Sequence, residues 1–274
     1  MHDPLLLPRT GPAMTQSKRD SARQVTHAPR LENSLLAALP NKDYLRLLPW
    51  LEPVTLNFGK VLYEPDETIR HVYFPDRSMV SLLTIADGHL ALEVGLIGRE
   101  GMLGVPLILG HNVSSVRALV QGSGTASRMV SANFLKQFRL SQALRKELYR
   151  YTHALMAQIS QTAACNRFHV VEMRLARWLL MTHDRVKSDQ FRMTQEFLAH
   201  MLGVRRVGVT RAAQALQMRK LISYSRGNIT VLDRSGLEAA ACECYEAVKN
   251  LNDGAQVTQG DHSRNRRNKV RVKR

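Results

Sequence analysis

The stretch from Thr194 to Leu216 constrains the fold most, because its residues follow the packing pattern of two short helices joined by a tight turn. Gly203 stands where the turn needs a residue without a side chain, and Ala199 is the small residue where the helices touch. Thr194 is suited to cap the first helix, which begins at Gln195. The predicted buried contacts are Leu198, Leu202, Val204, Val209 and Ala212. Few sequences meet all these requirements by chance, so the stretch predicts a helix-turn-helix.

The second helix, predicted from about Arg205 to Gln217, carries a polar outward face. Arg206, Thr210, Arg211 and Gln214, at spacings of i, i+4, i+5 and i+8, share that face. In a DNA major groove, arginine pairs bidentately with guanine and glutamine with adenine. The predicted DNA-contacting residues are Thr194, Gln195, Arg205, Arg206, Thr210, Arg211, Gln214 and Arg226.

A solvated helix face is the alternative explanation of those arginines. Ordinary faces mix charge signs, whereas residues 185–226 hold nine Lys/Arg against Asp189 and Glu196, so the net charge is 9 − 2 = +7. The excess of positive charge therefore favours nucleic acid as the partner.

A β-hairpin is predicted directly after the second helix. Two alternating apolar runs, 221–225 and 229–232, flank the turn Arg226-Gly227-Asn228. This hairpin is a wing, and Arg226 at its tip is expected to meet a phosphate, which adds affinity without sequence preference. The alternative is a ligand-binding or protein-interaction module whose winged helix docks protein rather than DNA. Steep salt dependence of DNA binding would distinguish the two.

The formal charge of +16 is unevenly distributed. Residues 31–140 carry ten acidic and ten basic side chains and sum to zero, whereas residues 264–274 hold seven Lys/Arg and no acid. We expect disordered ends at residues 1–30 and 248–274, the second a basic tail that either attracts phosphates or has no role.

Between these ends the apolar period changes twice. Short β-rich runs separated by turn pairs predict an all-β roll within residues 31–140. Residues 141–167 then show a helical pattern, and 168–247 cover the winged helix. The seam residues Leu144, Leu148, Tyr151 and Leu155 follow coiled-coil-like spacing and are predicted to form a dimer interface. A second apolar stripe contains Met156, Ile159 and Ala163, so the helix is predicted to have two buried faces, one for its own domain and one for a partner.

Over residues 31–247 the chain resembles bacterial transcription regulators of the cAMP receptor protein/FNR (Crp/Fnr) family. The matching segments are Glu64–Glu67, Val72–Pro75, Met79–Leu83, Gly98–Gly104, the helix-turn-helix, Leu232–Glu238 and Ala241–Tyr245. The resemblance implies an α+β chain: a cyclic-nucleotide-binding-like β-roll (a double-stranded β-helix), a long dimerisation helix and a winged helix-turn-helix. It also implies a homodimer on a palindromic operator in double-stranded DNA, with RNA polymerase as a further candidate partner.

Two departures from the family pattern matter. Val207 stands where the family usually has Glu, so the half-site should differ from that of the best-known members. Ser115 and Val116 replace the Arg and its neighbour that hold a cyclic phosphate. Glu100 and Arg117 are the remaining candidates for an effector site, and we expect no binding of cAMP and an unknown effector, if any.

No cofactor is expected. An iron-sulfur cluster of the family's oxygen sensors needs about four cysteines, mostly near the N-terminus, and none precedes Cys165. A lone His71, His89 or His111 on a β-rich domain is more often a surface or core residue than a haem ligand. Cys242-Glu-Cys244 has no matching pair in the sequence pattern, so packing is favoured over metal binding.

No catalytic motif is present either. His169-Val-Val-Glu172 lacks the second His of a zinc protease, and Gly98–Gly104 fits neither a P-loop nor a dinucleotide fingerprint. The chain also has no run of about 18 apolar residues and no signal-peptide pattern. We expect a cytoplasmic regulator with free thiols that is neither an enzyme nor membrane-bound.

Overall fold

A computed structural model describes residues 32–86, 90–186 and 188–257. The predicted disordered extension at 1–30 and the basic end of the tail, 258–274, lie outside the described residues. No helix in the described part is long and apolar enough to span a membrane.

The first half of the described chain is a β-roll closed by short helices. Its elements in chain order are α1 (Ser34–Ala37), α2 (Asn41–Leu47), a 3-10 turn (Leu48–Trp50), β1 (Glu52–Leu56), β2 (Val61–Tyr63), β3 (His71–Pro75), β4 (Met79–Ala86), β5 (Leu90–Ile97), α3 (Val105–Ile108), β6 (Arg117–Gly122), β7 (Gly124–Val130) and α4 (Ser131–Leu140).

All strand pairs of the roll are antiparallel and form two sheets, ordered β1-β7-β3 and β2-β6-β4-β5. Val72, Phe74, Val80 and Val120 are among the residues of the core within the roll, each at most 1% exposed. The predicted all-β roll is confirmed.

The long helix α5 spans Gln142–Phe168 and is followed by α6, Val171–Val186. Ser141 caps α5, because its side chain accepts a hydrogen bond from the Leu144 amide at 3.0 Å. The helix ends at His169, whose extended backbone separates it from α6.

The four predicted dimer-seam residues of α5 are buried inside their own chain, so that prediction is wrong. Leu144 and Leu148 are 0% exposed, and Tyr151 and Leu155 are 8% and 6% exposed. All four belong to the core of the β-roll, and the Tyr151 hydroxyl donates to the carbonyl of Met102 at 3.0 Å. The seam-like spacing therefore reflects packing against the roll.

The C-terminal half is a winged helix. Its elements are β8 (Gln190–Arg192), α7 (Gln195–Leu202), α8 (Arg206–Met218), β9 (Ile222–Ser225), β10 (Asn228–Val231), α9 (Arg234–Ala240) and α10 (Cys244–Val257). The predicted wing is β9–β10, and β8 extends it to a three-stranded sheet ordered β8-β10-β9.

Helix α10 corrects the predicted boundary of the disordered tail. Sequence analysis placed disorder from residue 248, but the helix continues to Val257. Tyr245 and Val248 are each 2% exposed and belong to the core of the winged helix, and α10 packs along α5. Burial of these apolar side chains stabilises a helix that a high content of polar residues had obscured.

The roll and the winged helix share a second apolar core in which Met79, Leu83 and Leu96 of the roll pack with α6, α7 and α8. Polar contacts cross the same boundary. The Trp178 indole donates to Glu93 Oε1 at 3.0 Å, and Arg185 donates to Glu100 Oε1 at 2.9 and 2.6 Å. Helix α8 therefore packs on a core that the roll and the winged helix share.

Candidate nucleic-acid interface

The turn between α7 and α8 has the geometry that the sequence predicted. Thr194 accepts a hydrogen bond from the Phe197 amide at 3.1 Å and so caps α7. Gly203 ends that helix with φ of +59°, a left-handed conformation in which glycine lacks the steric penalty of other residues. Ala199 is 6% exposed where the two helices meet. The core contacts Leu198, Leu202, Val209 and Ala212 are buried, and Val204 is partly buried.

Helix α8 presents one continuous exposed face. Arg206, Arg211 and Gln214 are exposed along it, and Val207 between them is 55% exposed. Thr210 is half-buried, and its hydroxyl donates to Gln195 Oε1 at 2.8 Å, which ties α8 to the start of α7. The face therefore consists of long polar side chains projecting from a helix that two packed neighbours hold in place.

Arg205 stands at the N-cap position of α8, one residue before the helix begins. It is exposed and lines a cavity of about 490 Å³ between the turn and the β4–β5 hairpin, which also includes Leu92 and Gly203. Arg205 therefore lies at the edge of the exposed face rather than at its centre.

The positive charge of this surface is not neutralised by carboxylates of the described residues. None of the ion pairs recorded there involves Arg205, Arg206, Arg211 or Arg226. Arginines at the rear of the domain do pair, for example Arg219 with Glu172 and Arg234 with Asp184. Exposed arginines without a carboxylate partner, clustered on a helix and a neighbouring hairpin tip, are typical of a surface that meets phosphates.

The wing ends in a tight two-residue turn. Arg226 and Gly227 both have positive φ, 49° and 82°, as a type I′ hairpin turn requires. Ser225 pairs with Asn228 across the turn, and Arg226 is exposed at the tip. Tyr224 anchors the base of the wing by donating to the Met193 carbonyl at 2.8 Å, and burial raises the pKa of its phenol to about 12.

The two candidate effector residues do not converge, which corrects the prediction of a shared site. Arg117 pairs with Glu64 at 2.8 Å, and its backbone lies opposite Leu83 on β4. Glu100 pairs with Arg185 of α6 and follows Ile97, which lies opposite Val80 at the other end of β4. Each side chain already has a partner of opposite charge, so the two do not form one phosphate and ribose pocket.

The candidate haem histidines have ordinary environments where they are described. His71 packs beside Tyr73 with ring centroids 6.3 Å apart, and partial burial lowers its pKa. His111 is exposed, and His89 lies outside the described residues.

Helix α5 carries a different stripe from the one that sequence analysis selected. Apart from Phe168 at its last position, its exposed residues recur at alternating spacings of four and three. The exposed stripe consists of Gln142, Lys146, Tyr149, His153, Met156, Ser160, Ala163 and Arg167. Tyr149 and Met156 are 53% and 62% exposed, which is high for large apolar side chains on a long helix. Met156 and Ala163 had appeared in the second apolar stripe, whereas Ile159 packs partly against the roll.

The structure also assembles a cluster that the sequence pattern had not revealed. Cys165 and His169 at the end of α5 meet Cys242 and Cys244 at the junction of α9 and α10. The C-x-C motif thus has a matching pair after all, 73 or more positions earlier in the chain. A Cys-x-x-x-His spacing at a helix end was the available signal.

Residues 173–240 match the family of Crp-like helix-turn-helix domains. A comparison of the sequence with curated proteins found no match.

Three solved structures share the fold at low sequence identity. FixK2 from Bradyrhizobium japonicum is 13% identical with a TM-score of 0.59, and the match covers 70% of this chain and 98% of that one. A CRP-family transcriptional regulator from Thermus thermophilus is 15% identical with a TM-score of 0.58, over 69% and 96%. The c-di-GMP-responsive regulator CLP from Xanthomonas campestris is 16% identical with a TM-score of 0.55, over 70% and 99%.

Roll, long helix and winged helix follow one another here, in the fold that those structures share. Residues 173–240 are therefore a Crp-like helix-turn-helix domain, set in a chain that has the fold of a Crp/FNR transcription regulator.

Proposed function

We propose that the chain is a sequence-specific DNA-binding transcription regulator that acts as a homodimer on an inverted repeat. The observation that carries this proposal is the exposed face of α8, where Arg206, Arg211 and Gln214 project together and the arginines have no carboxylate partner among the described residues. Such side chains can form bidentate contacts with guanine and adenine in the major groove.

The rest of the surface supports the same docking. Thr194 and Gln195 lie at the start of α7, where exposed amides and hydroxyls suit phosphate contacts. Arg226, exposed at the wing tip, adds another positively charged side chain to the surface formed by α8. The proposed roles are base reading by Arg206, Arg211 and Gln214, with Thr210 alongside, and phosphate binding by the remaining residues.

The exposed stripe of α5 is the proposed dimer interface. A spacing of alternating fours and threes keeps one face of a helix toward a parallel or antiparallel partner helix. Tyr149, Met156 and Ala163 would pack against their copies, with His153 and Ser160 between them. A two-fold dimer places its reading helices in successive major grooves about 34 Å apart, so half-sites should be centred about one helical turn from each other.

We also propose that cAMP does not bind the roll. Glu100 and Arg117 are held apart by their ion pairs with Arg185 and Glu64. Calorimetric titration with cAMP or cGMP should detect no binding tighter than about 1 mM, which corresponds to about 4 kcal/mol. A saturable micromolar isotherm would contradict this part of the proposal.

Selection of bound sequences from a random double-stranded library tests the main proposal. The expected result is enrichment of an inverted repeat, with affinity that falls steeply as salt rises. A domain that docks protein instead would enrich no motif and show a shallow salt dependence.

A further inference from the structure

Three cysteines and one histidine meet at a single point beside the winged helix. The sulfur atoms of Cys165, Cys242 and Cys244 and one ring nitrogen of His169 all lie within 4.8 Å of one another. The cysteines are 0%, 3% and 0% exposed. They come from two places far apart in sequence, the end of α5 and the α9–α10 junction.

Two separations within this cluster are close to those of a tetrahedral metal site, and the others do not exceed 4.8 Å. Zinc binds sulfur at about 2.3 Å and histidine nitrogen at about 2.0–2.1 Å, so the edges of the tetrahedron are roughly 3.8 Å between sulfurs and 3.6 Å between sulfur and nitrogen. The observed distances are 3.5 Å between the sulfurs of Cys165 and Cys242, and 3.4 Å between Cys244 Sγ and His169 Nδ1. Three cysteines and one histidine are a common ligand set of structural zinc.

The groups around the cluster have the arrangement of an outer ligand shell. His169 directs Nδ1 at Cys244, and its other nitrogen, Nε2, lies 3.2 Å from Glu243 Oε1. A carboxylate on the distal nitrogen orients a metal-binding histidine and fixes its tautomer. The Gln161 amide donates to Cys244 Sγ at 3.0 Å, as amides do toward bound thiolates. A disulfide between Cys165 and Cys242 would leave His169 and Glu243 without a role.

Two buried cations lie beside the cluster. Arg174 and Arg177 are 6% and 4% exposed, and the Nε of each has no hydrogen-bond partner among the described residues. Neither takes part in an ion pair recorded there. Arg177 lies close enough to Cys165 for its charge to act on that thiol. One divalent metal with three thiolates and a neutral histidine carries a net charge of −1, which offsets one of the two buried guanidinium charges.

We propose that Cys165, His169, Cys242 and Cys244 bind one thiophilic divalent metal ion, which for this ligand set is zinc. On binding, the three thiols lose their protons and the imidazole stays neutral, with no change in oxidation state. The metal fixes the end of α5, where the chain turns into α6, to the start of α10. It therefore stabilises the junction from which the winged helix extends.

Cobalt substitution of the full-length protein tests this site. The chain is stripped with a chelator under reducing conditions and titrated with Co²⁺. We expect one equivalent to bind and to show tetrahedral d–d bands together with a thiolate-to-cobalt charge-transfer band. Zinc should displace cobalt, and the loaded protein should unfold at a higher temperature than the stripped one.

Variants assign the ligands. Cys244→Ser should bind Co²⁺ much more weakly, so that one equivalent gives no charge-transfer band. Cys244→His should still bind one equivalent at a tetrahedral site and show a weaker band, because one thiolate is gone. His111→Asn, on an exposed histidine of the roll, is the control and should behave like the unaltered protein.

Three results would overturn the proposal. The first is that the unaltered protein binds Co²⁺ only octahedrally or only at millimolar concentration. The second is equal uptake by the unaltered protein and Cys244→Ser. The third is a Cys165–Cys242 disulfide that forms readily in a protein without metal affinity. None of these depends on whether DNA binds, so failure of the metal site and failure of the proposed function are separable.

Discussion

Leu148 and Met156 lie two turns apart on α5 but on different faces. Substitution of Leu148 should affect folding stability, whereas substitution of Met156 should affect dimerisation. Leu148 is 0% exposed in the core of the roll, and Met156 is 62% exposed on the stripe proposed as the dimer interface. We predict that Leu148→Ala lowers the free energy of unfolding without changing the dimer contacts directly. Met156→Glu should dissociate the dimer and leave each protomer folded.

The magnitudes follow from burial. Truncation of a fully buried leucine to alanine costs about 2–5 kcal/mol through lost transfer energy and the cavity left behind. Burial of a whole methionine side chain is worth about 1.5–3 kcal/mol, so the 62% of Met156 that is exposed offers about 1–2 kcal/mol per protomer. Two copies give about 2–4 kcal/mol, which raises the dimer Kd roughly 30-fold to 700-fold. Repulsion between two carboxylates in the seam adds to this value.

Urea unfolding and sedimentation velocity distinguish the two effects. Leu140→Glu is the matched control, because it places the same charge on another exposed apolar residue, at the end of α4 and off the stripe. The reasoning is refuted if Met156→Glu sediments as the unaltered protein does, or if Leu140→Glu dissociates to the same extent. It is also refuted if Leu148→Ala unfolds at the same urea concentration as the unaltered protein.

Two further predictions concern stability. Burial raises the pKa of Glu93 to about 7, above its ordinary value, so the folded state keeps this proton to a higher pH than the unfolded chain does. The free energy of unfolding should therefore fall by about 3 kcal/mol as pH rises from about 4.5 to 7 and then level off. Glu93→Gln should remove this loss. Urea titrations between pH 4 and 8 measure both. Gly203→Ala should lower the free energy of unfolding by about 1–2 kcal/mol, because alanine is strained at φ of +59° and its Cβ would press on Leu92. Thermal melting measures this loss. Gly208→Ala, in open space on α8, is the control and should be neutral or stabilising.

The local pattern of the winged helix was predictable because its constraints are short-range. A cap at Thr194, a glycine at 203 and alternating runs around Arg226-Gly227 each depend on neighbours a few residues away. The exposed arginine face of α8 followed from the same spacing. Strand β8 was not predicted, since three residues before a helix carry too little periodicity to identify a strand.

The faces of α5 were not predictable from spacing alone. Its buried and exposed rows both recur at fours and threes, so either fits a coiled-coil seam. Leu144 and Leu148 are the more apolar candidates, and the sequence does not show that the roll already covers them. Apolar character indicates that a side chain is buried, but only the fold shows whether it packs against its own chain or against a partner.

The sequence did not predict the cysteine-histidine cluster, and it wrongly grouped the two effector residues, for the same reason. Both depend on contacts between segments far apart in the chain. Cys165 and Cys242 are brought together by the packing of α10 on α5, and Glu100 is diverted to Arg185 by the docking of α6 on the roll. No local pattern encodes either contact.

The most direct test of the central claim compares Arg211→Ala with Arg226→Ala on the selected inverted repeat and on random DNA. If α8 reads bases and the wing holds phosphates, Arg211→Ala loses about 1–3 kcal/mol on the repeat and much less on random DNA. Arg226→Ala weakens both by similar factors and reduces the salt slope by about one. Equal losses on both DNAs for both variants would contradict base reading by Arg211.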